Sequence, residues 1–205
     1  MKEKRGRTYF RVTLVISVLL FYILAPLACA PTRVRIYPRE TQTEKTSPGK
    51  PSPGKPSPGK SYTEVISQWK SYQDLVKWME RDFSFDVERY KKFEGTLPVP
   101  RTPEETFQLR SGIYIDAVEF SKKTLNQINP SYKAQTAIIV VRPNVFNHYV
   151  CAFKKDGKLF ILDYGTPYKE ITGVHGPYHS LDEYRGFYQK HHPMGGKIEA
   201  ITYLP

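Results

Sequence analysis

Apolar positions recur at helical spacing between residues 61 and 128 and at strand spacing over much of 134–204. Val65, Ile66 and Trp69 lie three and four apart, and Leu75, Val76 and Met79 continue the pattern after Tyr72. Ser61-Tyr62-Thr63-Glu64 has the form of a capping box, in which the serine hydroxyl and the glutamate carboxylate each take a backbone N–H at the start of a helix. Thr102-Pro103-Glu104-Glu105 is a second box, with proline at the first helical position, and predicts a short helix through Phe107 and Leu109 into Ser111-Gly112. Helical period returns over 113–128, with Ile115, Val118, Leu125 and Ile128 as the expected buried face, and Asn129-Pro130 ends it.

Segments 134–141 and 147–154 are rich in β-branched and aromatic residues, and Asp156-Gly157 is a hairpin signal. A two-residue turn there pairs Lys155 with Lys158 and, counting outward, Val150 with Asp163. His148 lies two residues from Val150 and shares its face, so His148 and Asp163 become diagonal neighbours within reach of one another. The same alternation sends Cys151 to the opposite face. Further on, 173–177 reads as a loop and Ser180-Leu181-Asp182-Glu183 as the cap of another helix. Segment 197–204, with Ile198, Ala200, Thr202 and Leu204 on one face, reads as a closing strand. Helices first and an antiparallel sheet afterwards predict an α+β domain, with N-terminal helices packed on the sheet.

The start of the 113–128 helix carries the candidate chemistry. Arg110-Ser111-Gly112-Ile113 delivers Tyr114 to a helix N-terminus, where unpaired N–H groups and the helix dipole favour an anion. A thiol there becomes a reactive thiolate. A phenol, with an ordinary pKa of about 10, gains far too little. His148 and Asp163 add a base and its orienting carboxylate downstream, although a lone histidine is more often a core residue satisfied by the backbone.

In chain order, Thr102-Pro103-Glu104-Glu105-Thr106-Phe107, Arg110-Ser111-Gly112, the helix over 113–128, Asn147-His148-Tyr149-Val150-Cys151 and Leu162-Asp163-Tyr164-Gly165 resemble a bacterial transglutaminase-like domain of the wider papain-like fold. The resemblance covers roughly 61–205. It implies that the catalytic cysteine falls on Tyr114, the histidine on His148 and the aspartate on Asp163. Gln108, six residues before Tyr114, has a spacing similar to that of the papain-like oxyanion glutamine, and a side-chain amide can donate to a developing oxyanion. With tyrosine in place of the sulfur, the expectation leans away from an enzyme. It is an inactive homologue that binds a peptide, an amide-bearing cell-wall glycan or a protein partner in a papain-like cleft. The alternative is an active amide hydrolase or acyltransferase with a Tyr-His-Asp site, since tyrosine nucleophiles exist in some glycosidases. An ordinary imidazole is about 3.5 units less basic than a phenolate, which makes the proton transfer roughly 5 kcal/mol uphill.

Other polar residues change this picture little. His175, His179, His191 and His192 lack the paired spacing with a carboxylate or cysteine that defines a zinc centre, so no metal or other cofactor is expected and these histidines read as solvent-exposed loop positions. Tyr164, Tyr168, Tyr178, Tyr184 and Tyr188 either line a binding groove or pack at the rim of the sheet.

The chain has 205 residues and a net charge of +11, which at first suggests a nucleic-acid partner. The charge is unevenly placed: residues 1–60 carry 12 Lys+Arg against 3 Asp+Glu, and residues 61–205 carry 19 against 17. The domain is nearly neutral, and no nucleic acid is expected. Lys2, Lys4, Arg5, Arg7 and Arg11 with an apolar run over 12–28 form an export signal. Leu27-Ala28-Cys29 resembles the end of a bacterial lipobox, with Pro26 where leucine is usual. Lipidation at Cys29, an uncleaved membrane anchor, and cleavage after Ala30 are the three readings. Each puts the domain outside the cytoplasm, in the bacterial cell envelope, on its periplasmic or extracellular face. Residues 1–29 are thus a signal or anchor. Residues 30–60 are a linker that includes a Ser-Pro-Gly-Lys-Pro repeat with nothing apolar to bury, and its 15 residues over 46–60 span on the order of 45 Å at about 3 Å per residue.

Overall fold

The computed structural model describes residues 59–93, 96, 98–142, 146–193 and 196–204. Two short helices open the domain. The first, α1 (Tyr62–Ile66), is capped as its sequence requires: the Glu64 N–H donates to the Ser61 hydroxyl at 3.3 Å and the Ser61 N–H to the Glu64 carboxylate at 2.6 Å. A second capping box at Ser71 and Asp74 interrupts the apolar period and starts α2 (Tyr72–Asp82). Three further elements carry no periodic signal in the chain. A parallel bridge joins β1 (Ser84–Phe85) to β2 (Ser111–Gly112), and α3 (Val87–Lys92) is capped by Asp86. Helix α4 (Pro103–Leu109) precedes β2, with Thr102 and Glu105 forming its box.

The long helix α5 (Tyr114–Ile128) then crosses one face of the sheet. Val118 and Leu125 are buried as expected, whereas Ile115 and Ile128 are only half-buried. Ala117, Phe120 and Thr124 complete the inner face instead, with Trp78 4.8 Å from Phe120 between ring centroids and stacked on Phe107. A single 3-10 turn, Pro130–Tyr132, leads into the strands.

Strands β3 (Gln135–Arg142), β4 (Phe146–Lys155), β5 (Lys158–Asp163), β6 (Gly173–Tyr178) and β7 (Lys197–Tyr203) form one antiparallel sheet in the order β6-β5-β4-β3-β7. The hairpin register counted from the turn is that of the structure: Lys155 pairs Lys158, Phe153 pairs Phe160 and Cys151 pairs Leu162. Asp156 and Gly157 both have positive φ, at 51° and 73°, as a tight primed turn demands. Both faces of the sheet are covered. Tyr149, Cys151 and Phe153 meet the helical layer with α5, while Val150, Ala152 and Ile161 meet α6 (Leu181–His191). The fold is α+β.

Two expectations are corrected. The segment read as a loop over 173–177 lies within β6. It is an edge strand, where Pro177 and the glycines are tolerated because one side needs no ladder partner. In β7 the single apolar face is broken by a bulge: Val140 pairs Ala200 but Val141 pairs Ile198, leaving Glu199 as the extra residue. Ile198 and Ile201 therefore share one face, and Leu204 packs on the other.

Candidate functional site

Counting from the Asp156-Gly157 turn carries His148 and Asp163 to the far end of the hairpin, and there the two side chains meet. His148 Nε2 lies 2.8 Å from Asp163 Oδ1 and 3.0 Å from Oδ2, in a buried contact. A carboxylate only accepts, so Nε2 carries the hydrogen and Nδ1 of the neutral ring keeps its lone pair. The Tyr184 hydroxyl donates to Asp163 Oδ2 at 2.9 Å, which gives the carboxylate a second donor from α6. Asp163 is fully buried and His148 is 6% exposed. The imidazole is enclosed by rings: Tyr188 stacks on it at 5.5 Å, and Tyr114 meets it edge-on at 5.7 Å.

Tyr114 is the first residue of α5 and is half-buried. Its ring also stacks on Tyr149 at 5.8 Å, nearly parallel at 4°. Burial pushes the Tyr114 phenol above its ordinary value, and like-sign interactions with Tyr90, Tyr149 and Asp116 add in the same direction. The phenolate is therefore even less accessible than in water. A proton transfer from this hydroxyl to an imidazole is more unfavourable than the free groups suggest.

What fixes the start of α5 is a buried acid that sequence reasoning did not single out. Asp116, with no exposed surface, accepts from the Ile113 N–H at 3.0 Å and so caps its own helix. It also accepts from Arg89 Nε at 2.7 Å, from a terminal Arg89 nitrogen at 2.9 Å and from the Arg101 N–H at 2.8 Å. Arg101 in turn pairs with Asp86 at 2.9 Å and donates to the Ser111 carbonyl at 3.0 Å. The two arginines tie α3, β2 and α5 together. The spacing of Asp116 three residues into its helix is the sole local signal for this network; its arginine partners are remote in sequence.

Gly165 brings the other side of the site in. With φ at 76°, it lies so close to the Ile113–Tyr114 peptide that a Cβ would stand 2.5 Å from the Ile113 carbonyl carbon and 2.7 Å from the Tyr114 nitrogen. Only glycine allows this approach, which seats the end of β5, and hence Asp163, against the start of α5.

The remaining candidates fall elsewhere. Gln108 is exposed on the last turn of α4, and nothing among the described residues links its side chain to Tyr114 or His148. Cys151 is fully buried on the opposite face of β4 from His148, and burial pushes its thiol up to about 12. Contrary to expectation, the four other histidines are not all solvent-exposed loop residues. Only His179 is exposed. His175 and His191 donate to the Ile171 and Phe187 carbonyls, and His192 is buried, stacked on Tyr188 at 4.9 Å. Among the tyrosines, packing prevails: Tyr164, Tyr184 and Tyr188 are buried, and Tyr168 and Tyr178 half-buried. Cys29 and the whole of 1–58 lie outside the described residues. Among the described residues, no group of three or more His, Cys, Asp or Glu is arranged to hold a metal, and no helix is long and apolar enough to cross a membrane.

The arrangement is a histidine held by a carboxylate beside a helix N-terminus, the parts from which acyl-transfer sites are built, with a phenol at the helix start. None of the curated proteins matches the chain. A family profile described as a transglutaminase-like domain matches residues 63–178, more than half of the sequence, and the chain belongs to that family.

Proposed function

We propose that the protein is a catalytically silent transglutaminase-like domain of the bacterial cell envelope. In this reading Tyr114 stands at the nucleophile position, and the site serves to bind a peptide, an amide-bearing glycan or a protein partner. The observation that carries it is the pairing of a fully built His148–Asp163 contact with a half-buried tyrosine at the helix start, whose phenol is raised by burial. Acyl transfer by a Cys–His pair begins with a thiolate. Here the base and its orienter are present, and the group that should lose a proton holds it more tightly than usual.

Two physical points support loss of chemistry over an unusual tyrosine nucleophile. The Tyr114 ring is engaged on both Tyr149 and His148, so it fills space beside the imidazole where an acyl group would have to sit. The remaining thiol, Cys151, faces away and is desolvated. Envelope anchoring rests on the basic and apolar N-terminus, on Cys29 and on the proline-rich tether.

Assays of the unaltered protein with peptide amide donors and amine acceptors test the silent site. No hydrolysis or transfer is expected. Activity abolished by Tyr114→Phe would overturn the silent reading and favour the tyrosine-dependent alternative. Anchoring is tested by metabolic labelling with a fatty-acid analogue: Cys29→Ala is expected to remove the label, and unchanged labelling and membrane association would reject lipidation there.

A further inference from the structure

Far from His148, the turn of the β4–β5 hairpin and the segment just after α5 border an open concavity of about 310 Å³. Its walls include Asn129, Ser131, Lys133, Lys154, Lys155 and one carboxylate, Asp156. A smaller hollow of about 110 Å³ shares Lys133 and Lys154 and continues toward Tyr203. The two form one groove, with the two lysines standing at their common border. His148 is seven residues along β4 from Lys155, roughly 23 Å at about 3.3 Å per residue, so this groove is separate from the dyad.

Two of the three cations of the groove have no counterpart among the described residues. Among the described residues, neither Lys133 nor Lys154 has an ion-pair partner, and both are exposed. Lys155 alone pairs, with the exposed Asp156 at 2.7 Å. Residues 61–205 are almost balanced in charge, so three ammonium groups against the single Asp156 carboxylate around one concavity are a local excess of positive charge. Lys133 also sits in the left-handed region with φ at 46°, a conformation that favours glycine or asparagine, and the chain nevertheless places a long cation there. The neutral groups supply donors as well. Asn129 Oδ1 accepts from the Ser131 N–H at 3.0 Å, which leaves the Asn129 NH₂ group as a donor, and Ser131 adds a hydroxyl to the same wall.

We infer that this groove is an anion site for a phosphate-bearing ligand. Ammonium groups act on phosphate as point charges, and hydroxyl and amide donors complete the coordination of its oxygens. The volume is at the small end of ligand pockets, so it suits one or two phosphate groups with a short carrier reaching toward Tyr203. A soluble phosphate ester or polymer and a phospholipid headgroup present the same chemistry to these lysines. This site is independent of the reading of Tyr114.

The test uses the full chain in detergent and inorganic tripolyphosphate as probe, with binding followed by calorimetry at low salt. Binding is expected, and Lys133→Gln with Lys154→Gln should weaken it about tenfold, or about 1.4 kcal/mol for two exposed charge contacts. A parallel variant replaces the tether lysines Lys50, Lys55 and Lys60 with glutamine and should leave most of the affinity intact. Vesicles containing phosphatidylglycerol, set against phosphatidylcholine alone, distinguish a lipid source from a soluble one by the same pair of substitutions. The inference is overturned if tripolyphosphate fails to bind, if Lys133→Gln/Lys154→Gln binds as well as the unaltered protein, or if the tether variant accounts for the whole effect.

Discussion

Replacing Asp116 with alanine attacks the point at which the candidate site is assembled. Its carboxylate is fully buried and takes four hydrogen bonds, two of them from Arg89, whose side chain is 14% exposed. The substitution removes the helix cap at Ile113 and leaves a nearly buried guanidinium without its carboxylate, holding only the Val99 carbonyl at 2.7 Å. Breaking a buried ion pair from one side costs about 3–5 kcal/mol, because the remaining charge stays desolvated. A domain of this size has about 5–15 kcal/mol in all. Asp116→Ala should therefore remove about a fifth or more of the stability, seen in urea unfolding at pH 7 as a lower midpoint with an unchanged slope. Arg89→Met in the same background takes away the orphaned charge and should recover part of the loss, giving a coupling of about 1–3 kcal/mol in the double-mutant cycle. If Asp116→Ala costs under about 1 kcal/mol, or if the two penalties simply add, the network does not hold the start of α5 in the way described.

Two further outcomes rest on the same geometry. Gly165→Ala combines a positive φ with backbone atoms at 2.5 and 2.7 Å, so it should destabilise by more than about 2 kcal/mol in urea unfolding; a neutral result would mean that β5 and α5 need not approach so closely. His192 is pushed down to about 4, first by burial and next by the like charge of His148, against the opposing pull of Asp163, with Tyr168 and Tyr188 packed on its ring. The unfolded chain therefore binds this proton first as pH falls from about 6.5 to about 4, and stability drops across that window, by on the order of 3 kcal/mol at most. His175, lowered chiefly by burial, acts in the same direction. Thermal midpoints should fall across the window, and His192→Gln should flatten the fall; an unchanged slope would count against the buried neutral imidazole.

Local signals were legible, and distant pairings were not. The capping boxes at Ser61 and Thr102 and the turn at Asp156-Gly157 each announce themselves within four residues, and the turn alone fixed the register that joins His148 to Asp163. Strand β4 hid its alternation because both faces are buried, with Tyr149 through Phe153 all inside. The edge strand β6 carries the glycines and proline of a loop, and the bulge at Glu199 shifts a face that strict alternation would keep. Asp116 reads as a surface charge until Arg89, 27 residues away, is seen beside it. Tyr184 likewise gains its meaning only from Asp163, 21 residues away. Neither pair leaves a periodic mark in the chain.

The silent-site proposal is met most directly by Tyr114→Cys. A thiol at the first position of α5, beside an imidazole, falls under conditions that lower its pKa toward neutrality. Cys151 is pushed up to about 12 and buried, so at pH 7 its thiolate is scarcer by a factor on the order of 10⁴ or more. Iodoacetamide should label the new thiol far faster than Cys151, with a rate that falls when His148 is replaced by alanine. Labelling of the variant that is no faster than that of the unaltered protein, or that is indifferent to His148, would contradict the placement of Tyr114 at a nucleophile position.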